Sequence, residues 1–193
     1  MLRSLFSIRK LSIYTLLLIA AWQWGQAGII TGKAHLAKYL IAQAWQQTLT
    51  TGNNHLPWPW ADTWPVAKIT FHNNKSFYIL AGSAGNSLAF GPGHLSNTAL
   101  PGTQGASVIG GHRDTHFSLL QHSNKNDIIK VQNKTGEINT YQISEHWIAN
   151  SKNSMLTIDQ NEDSLYLITC YPFNTIRVGG DERFIVRATP ISI

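Results

Sequence analysis

The sequence predicts an all-β domain of about 130 residues, a closed barrel or a sandwich, behind one N-terminal membrane helix. Three observations predict it. Short apolar-rich runs follow one another from Ala67 onward, with turn residues between them. One apolar run near the N-terminus, Leu11 to Ala21 and extended to Ile30, is preceded by Arg3, Arg9 and Lys10. The 193 residues contain a single cysteine, so no internal disulfide holds the exported part and its stability must come from the core.

The elements follow in chain order. Basic residues ahead of an apolar run of about 20 residues, with Trp22 and Trp24 towards its far edge, fit a signal-anchor helix with a cytoplasmic N-terminus. No acidic residue occurs before Asp62, in keeping with that reading. The alternative is a cleaved signal peptide, but bulky residues interrupt the small-x-small pattern over Ala21–Ala27. Either way the rest of the chain is exported. Residues 1–30 are therefore assigned to the cytoplasmic tip and anchor. Residues 31–64 are assigned to a juxtamembrane helix, in which Leu36, Ala37, Tyr39, Leu40 and Ala44 fall near one face, and to a linker rich in Gly, Asn, Pro and Trp. Trp58 and Trp60 are expected to pack on the edge of the folded domain, with a membrane-interface belt as the alternative.

Residues 65–193 form the β domain. Strands are expected at Ala67–Phe71 and Ser76–Leu80, joined by a turn at Asn73-Asn74. A Gly-rich loop follows over Gly82–Ser96, then a strand at Ala106–Gly110. Asp127–Gln132 and Glu137–Ile143 flank Asn133-Lys134-Thr135-Gly136 as a hairpin. Strands at Asp163–Thr169 and Arg183–Ala188 close the series. The net charge of +5 includes three basic residues ahead of the anchor, and the remaining basic residues are scattered. No run suits nucleic acid, and export argues against such a partner.

Two places carry chemistry. Cys170 ends the apolar run Leu165–Cys170, and Pro172 stops that strand, so the thiol sits where side chains leave the core and meet solvent. Upstream lies Gly110-Gly111-His112-Arg113-Asp114-Thr115-His116. A thiol and a distant His at a Gly-flanked strand end is the pattern of a cysteine nucleophile with its proton partner. The two glycines are expected to let another backbone, such as a substrate's, approach closely. If the strand continued in extended form, His112, Asp114 and His116 would share a face and invite a divalent metal, but no further ligand is close in sequence to complete a site. A guanidinium beside a thiolate favours the anion and can hydrogen-bond a developing oxyanion, which brings in Arg177 and Arg183.

These blocks resemble the sortases, membrane-anchored cysteine transpeptidases. Ala106–Phe117 resembles the segment bearing the family's catalytic His, here His112. Leu167-Ile168-Thr169-Cys170 resembles the strand that ends in its nucleophile, here Cys170. Tyr171-Pro172-Phe173 is similar to the class D-like branch. Asp181–Val186 resembles the strand carrying the family's Arg, which favours Arg183 over Arg177. The resemblance covers about residues 65–190 and implies an eight-stranded sortase-type barrel, held on the extracytoplasmic side by a single-pass anchor. The implied reaction is cleavage of a Leu-Pro-x-Thr-Gly-like sorting motif in a substrate protein and transfer of the acyl group to an amine of a cell-envelope component.

No cofactor is implied. Some sortases use calcium, for which Glu145 and the group Asp159, Glu162 and Asp163 are the candidates, and calcium is left out. Leu100-Pro101-Gly102-Thr103-Gln104 looks like a sorting signal itself, but it lies mid-chain without an apolar segment and basic tail behind it, and is read as a turn. Three other functions stay open: a Cys/His peptidase that releases its acyl-enzyme to water, an L,D-transpeptidase-like cross-linker, whose usual Ser-x-Gly-Cys context is absent, and a membrane-tethered binding barrel with an inert cysteine.

Overall fold

Eight strands close into a barrel around their inward apolar side chains. The computed structural model describes residues 2–83, 85–153, 158–159, 162–175 and 179–191. The strands are β1 (Pro65–Phe71), β2 (Ser76–Ala81), β3 (Gly93–His94), β4 (Ala106–Gly110), β5 (Ile128–Gln132), β6 (Ile138–Asn150), β7 (Ser164–Cys170) and β8 (Glu182–Pro190). They close in the order β1-β2-β3-β4-β7-β8-β6-β5, with β2·β3 and β4·β7 parallel and the other neighbours antiparallel. The inward residues Ile69, Ile79, Ile109, Leu165, Leu167 and Val186 are fully buried and belong to one core cluster. On the outer face of β4, β7 and β8, Ala106, Val108, Tyr166 and Ile185 form a second cluster, with Ile158 and Ile168 packed against it.

The chain divides into two compact units, Met1–Tyr39 and Leu40–Ile193. A single helix, α1 (Leu2–Thr51), runs where an anchor and a separate juxtamembrane helix were expected. It is long and apolar enough to cross a membrane. In the first unit Leu16, Leu17, Leu18 and Trp22 are exposed, as lipid-facing residues are. In the second unit the end of α1 is part of the folded domain. Ile41, Ala44 and Trp45 are buried there. The Trp45 ring lies 6.4 Å from that of Tyr78, and its Nε1 donates to Gln132 Oε1 at 3.4 Å.

The turns have local causes. Asn74 takes φ 62°, a conformation that asparagine tolerates, and Asn73 Oδ1 accepts from Lys75 N. In the β5–β6 hairpin Asn133 Oδ1 accepts from Thr135 N, Thr135 Oγ1 and Glu137 N. The Leu100–Gln104 segment is a turn. Gly102 has φ 78°, and its carbonyl accepts from Asn133 Nδ2 and Asn139 Nδ2 at 3.3 and 2.8 Å.

The loop expected over Gly82–Ser96 contains a short helix, α2 (Asn86–Phe90), and the two-residue strand β3. β6 runs seven residues further than expected, through Asn150, because a bulge between Ile143 and Glu145 breaks the alternation that marks its first half.

β3 places a buried histidine in the wall. His94 is 4% exposed, and its Nε2 is 2.9 Å from the Ala99 carbonyl and 3.2 Å from Thr98 Oγ1. Burial lowers its pKa below the ordinary histidine value, outweighing the opposing effect of these hydrogen bonds. The unfolded chain therefore binds the extra proton first as pH falls, and stability is lost from about pH 6.5 downward through the folded value. Thermal unfolding is expected to show this loss between pH 7 and 5. A His94→Gln protein is expected to show a flatter profile over that range.

Candidate active site

Strand pairing brings the three predicted residues to one cleft. β4 and β7 run parallel, with Gly110 opposite Ile168, so the chain after β4 and the end of β7 leave the barrel at the same rim. β8 starts at that rim, and Cys170 is the direct cross-strand partner of Arg183. On β7 the inward positions are Leu165, Leu167 and Thr169, so Tyr166, Ile168 and Cys170 face outward. A cleft of about 350 Å³ is lined by His112, Cys170 and Arg183 together with Ser83, Leu88 and Leu95. Cys170 is free and half-buried, and His112 is exposed.

The histidine is held through its backbone. Gly111 N donates to Ile168 O at 3.0 Å, and Thr169 Oγ1 donates back to Gly111 O at 2.7 Å. The chain then turns, with Phe117 N donating to His112 O at 3.0 Å. This turn corrects the expectation of extended backbone through residue 116. His112, Asp114 and His116 do not line up along a strand, and the His116 ring instead meets Phe77 edge-on at 5.6 Å. Among the described residues no three His, Cys, Asp or Glu side chains gather as metal ligands.

Gly111 also has a different purpose from the one expected. A Cβ there would lie 2.6 Å from the ring of the fully buried Phe117, so the bare face of this glycine receives a core ring rather than a substrate backbone. Gly111→Ala is expected to destabilise the protein by about 1–3 kcal/mol through overpacking. The check is chemical denaturation of the variant beside Gly110→Ala, whose Cβ would meet nothing closer than 3.8 Å.

Arg183 Nη1 donates to Gly180 O at 2.6 Å and to Glu182 O at 2.9 Å, which fixes the direction of its fork. Arg177, the other candidate, lies outside the described residues. Sequence reasoning missed Thr169, the side chain that ties the Cys strand to the His segment. It also missed Arg113, which is 7% exposed beside His112 and reaches the Thr175 carbonyl at 3.4 Å. A hydroxyl at an inward strand position was the available signal for Thr169. The remaining cleft wall comes from α2, where Leu88 faces the cleft and Phe90 is held by the Trp58 ring at 5.2 Å, edge to face. Trp58 thus packs on the domain as expected, whereas Trp60 is 83% exposed.

Two of the calcium candidates, Glu145 and Glu162, meet around a cation the protein supplies itself. Arg187 Nη1 donates to Glu145 Oε1 at 3.1 Å, and Arg187 Nη2 donates to Glu162 Oε1. Asp163 accepts from Gly105 N instead. Two carboxylates already converging on a guanidinium are a poor fit to a calcium ion, which takes six to eight oxygen ligands.

Comparison with known proteins agrees with this architecture. The family described as Sortase domain matches residues 70–191. Sortase D of Bacillus subtilis (strain 168) is 31% identical over 114 residues, which cover 58% of this chain and 57% of that relative. The chain thus spans little more than half the length of that curated protein. Sortase A from Corynebacterium diphtheriae superposes with a TM-score of 0.60 at 28% identity, over 69% of this chain and 64% of that one. A Clostridium perfringens Sortase D5 transpeptidase does so with a TM-score of 0.57 at 28% identity, over 67% and 80% of the two chains. The family match extends over well more than half of the residues, on a closed eight-stranded barrel with an N-terminal apolar helix, and the chain belongs to the sortase family.

Proposed function

We propose that this protein is a class D-like sortase that cleaves a Leu-Pro-x-Thr-Gly-like motif in an exported substrate protein and transfers the acyl group to an amine of the cell envelope. The observation that carries this reading is the meeting of one thiol, one imidazole and one guanidinium in a single cleft, with Cys170 and Arg183 paired across adjacent strands. In this mechanism Cys170 Sγ, as thiolate, attacks the carbonyl carbon of the scissile Thr-Gly bond. The charge that develops on the carbonyl oxygen is met by N–H donors of Arg183, whose fork is oriented by Gly180 and Glu182. As the tetrahedral intermediate collapses, the C–N bond breaks and His112, as imidazolium, protonates the departing amine. A thioester remains on Cys170. An incoming amine then attacks that carbonyl, His112 takes its proton, and the C–S bond breaks.

The apolar side chains that line the cleft itself, Leu88, Leu95 and Ile168, support a site for the Leu and Pro side chains of such a motif. Arg3, Arg9 and Lys10, ahead of the apolar run of α1, support a cytoplasmic N-terminus and a barrel on the extracytoplasmic side, where exported substrates are found.

Product analysis tests the reading. The full chain in detergent is mixed with Leu-Pro-x-Thr-Gly-type peptides, with and without a small amine. Amine-capped peptide is the expected main product when amine is present. Free acid at every amine concentration would make the protein a peptidase instead.

A further inference from the structure

One hydroxyl in the thiol cleft has no task in the mechanism above. Ser83 lines the cleft together with Cys170, His112 and Arg183. It is half-buried and makes no hydrogen bond among the described residues. The other hydroxyl described in the lining, Thr169 Oγ1, is spent on Gly111 O. Around Ser83 the cleft is aliphatic, with Leu88, Leu95, Val108 and Ile168 in its walls. In such surroundings a hydrogen bond is strengthened and an unpaired hydroxyl is costly.

The backbone fixes where this serine stands. A Cβ on Gly93 would collide with Gly82 O and lie 2.9 Å from Ser83 Cα, so a glycine there lets the 82–83 peptide settle on β3. Ser87 Oγ donates to Gly82 O at 2.9 Å and holds the same peptide. Ser83 Cβ then lies 3.8 Å from where a Cβ of Gly110 would be. Ala106 and Val108 are on the outer face of β4, and alternation puts Gly110 there too. Ser83 therefore stands on the same side of the wall as Cys170. Gly110 is the partner of Ile168, two residues before the thiol. A strand spacing of about 4.8 Å and a rise of about 3.3 Å per residue put the Gly110 and Cys170 Cα atoms about 8 Å apart.

We infer that Ser83 is a specificity-determining residue, whose Oγ hydrogen-bonds the side-chain hydroxyl of the substrate residue that Cys170 attacks. The inference rests on the acyl-transfer reading above. That reading puts the threonine carbonyl carbon on the sulfur, its oxygen on Arg183 and the departing nitrogen on His112. The threonine side chain branches from the next carbon, so its hydroxyl stands about 4 Å from the sulfur. A hydrogen bond of about 2.8 Å from there gives a reach comparable to the separation of the two strand ends. Valine has the shape of threonine with a methyl in place of the hydroxyl, and would bury Ser83 Oγ without a partner.

Single-residue acyl donors test this without the correct sorting motif. The p-nitrophenyl esters of N-acetylthreonine and N-acetylvaline are each mixed with the full chain in detergent. The acyl carbon bonds to the Cys170 sulfur, the C–O bond breaks and p-nitrophenolate leaves. Its release is measured beyond that given by the Cys170→Ala protein. The threonine-to-valine rate ratio is divided by the same ratio for 2-mercaptoethanol, which removes the intrinsic reactivity of the esters. Wild type is expected to prefer threonine about tenfold. Ser83→Ala is expected to bring the ratio near one, and Ser83→Thr, which keeps a hydroxyl, to restore the preference. A ratio unchanged in Ser83→Ala would overturn the inference. So would a wild-type ratio near one, a result that needs no variant to fold. Failure of both esters to load Cys170 would instead overturn the nucleophile assignment on which both readings stand.

Discussion

Replacing Cys170 by alanine is expected to abolish acyl transfer, by about four orders of magnitude or more, while leaving the fold intact. The two halves of that expectation have separate causes. The side chain is half-buried at a strand end and belongs to neither core cluster, so removing the sulfur opens at most a small cavity and costs about 1 kcal/mol or less. Chemically, nothing takes its place, because the chain has no other thiol. Turnover and thermal unfolding measured on the same preparation check both halves. A Cys170→Ala protein that keeps full turnover would sink the nucleophile assignment, and an unfolded one would show that the thiol was structural.

Arg183→Ala is expected to lower turnover by about 10²–10³-fold, the usual loss for one oxyanion donor. Arg183 is the cross-strand partner of Cys170 and its Nη1 is already tied to two backbone carbonyls, so its fork is oriented before substrate arrives. Arg183→Lys is expected to recover little, because a flexible ammonium does not reproduce a planar fork. Arg177→Ala, made in parallel, is expected to lose far less. Equal losses would leave the choice between the two arginines open, and a larger loss at Arg177 would reverse it.

Much of this was legible in the chain. The apolar runs Ala106–Gly110 and Leu165–Cys170 mark buried strands, and the Asn-rich turns at Asn73-Asn74 and Asn133–Gly136 have local side-chain hydrogen bonds as their cause. The order of His112, Cys170 and Arg183 along the chain, with a single cysteine, pointed to the cleft before any fold was known. What stayed hidden depends on long-range pairing. β3 is two residues long and exists because it is paired between β2 and β4, so no periodicity could announce it. The second half of β6 lies behind a bulge that flips the alternation. The hydrogen bond from Thr169 to Gly111 spans 58 residues, and its significance appears only once β4 and β7 are known to be parallel neighbours.

The same limit applies to the two glycines before His112. Their sequence context suggests room for a ligand, yet the space over Gly111 is taken by Phe117, which follows it closely in the chain and folds back under the turn. The Glu145, Glu162 and Arg187 trio shows the reverse case. Two acidic residues with no visible connection in sequence converge because β6 and β8 are paired with Glu145 opposite Arg187.

The central claim is that Cys170 carries the acyl group, and intact-mass measurement tests it most directly. The full chain in detergent is incubated with Leu-Pro-x-Thr-Gly-type peptides, quenched in acid and mapped by proteolysis. The account predicts a covalent peptide adduct on Cys170 that disappears when an amine is added and is absent from the Cys170→Ala protein. An adduct on another residue, or amine-capped product formed by the Cys170→Ala protein, would contradict it.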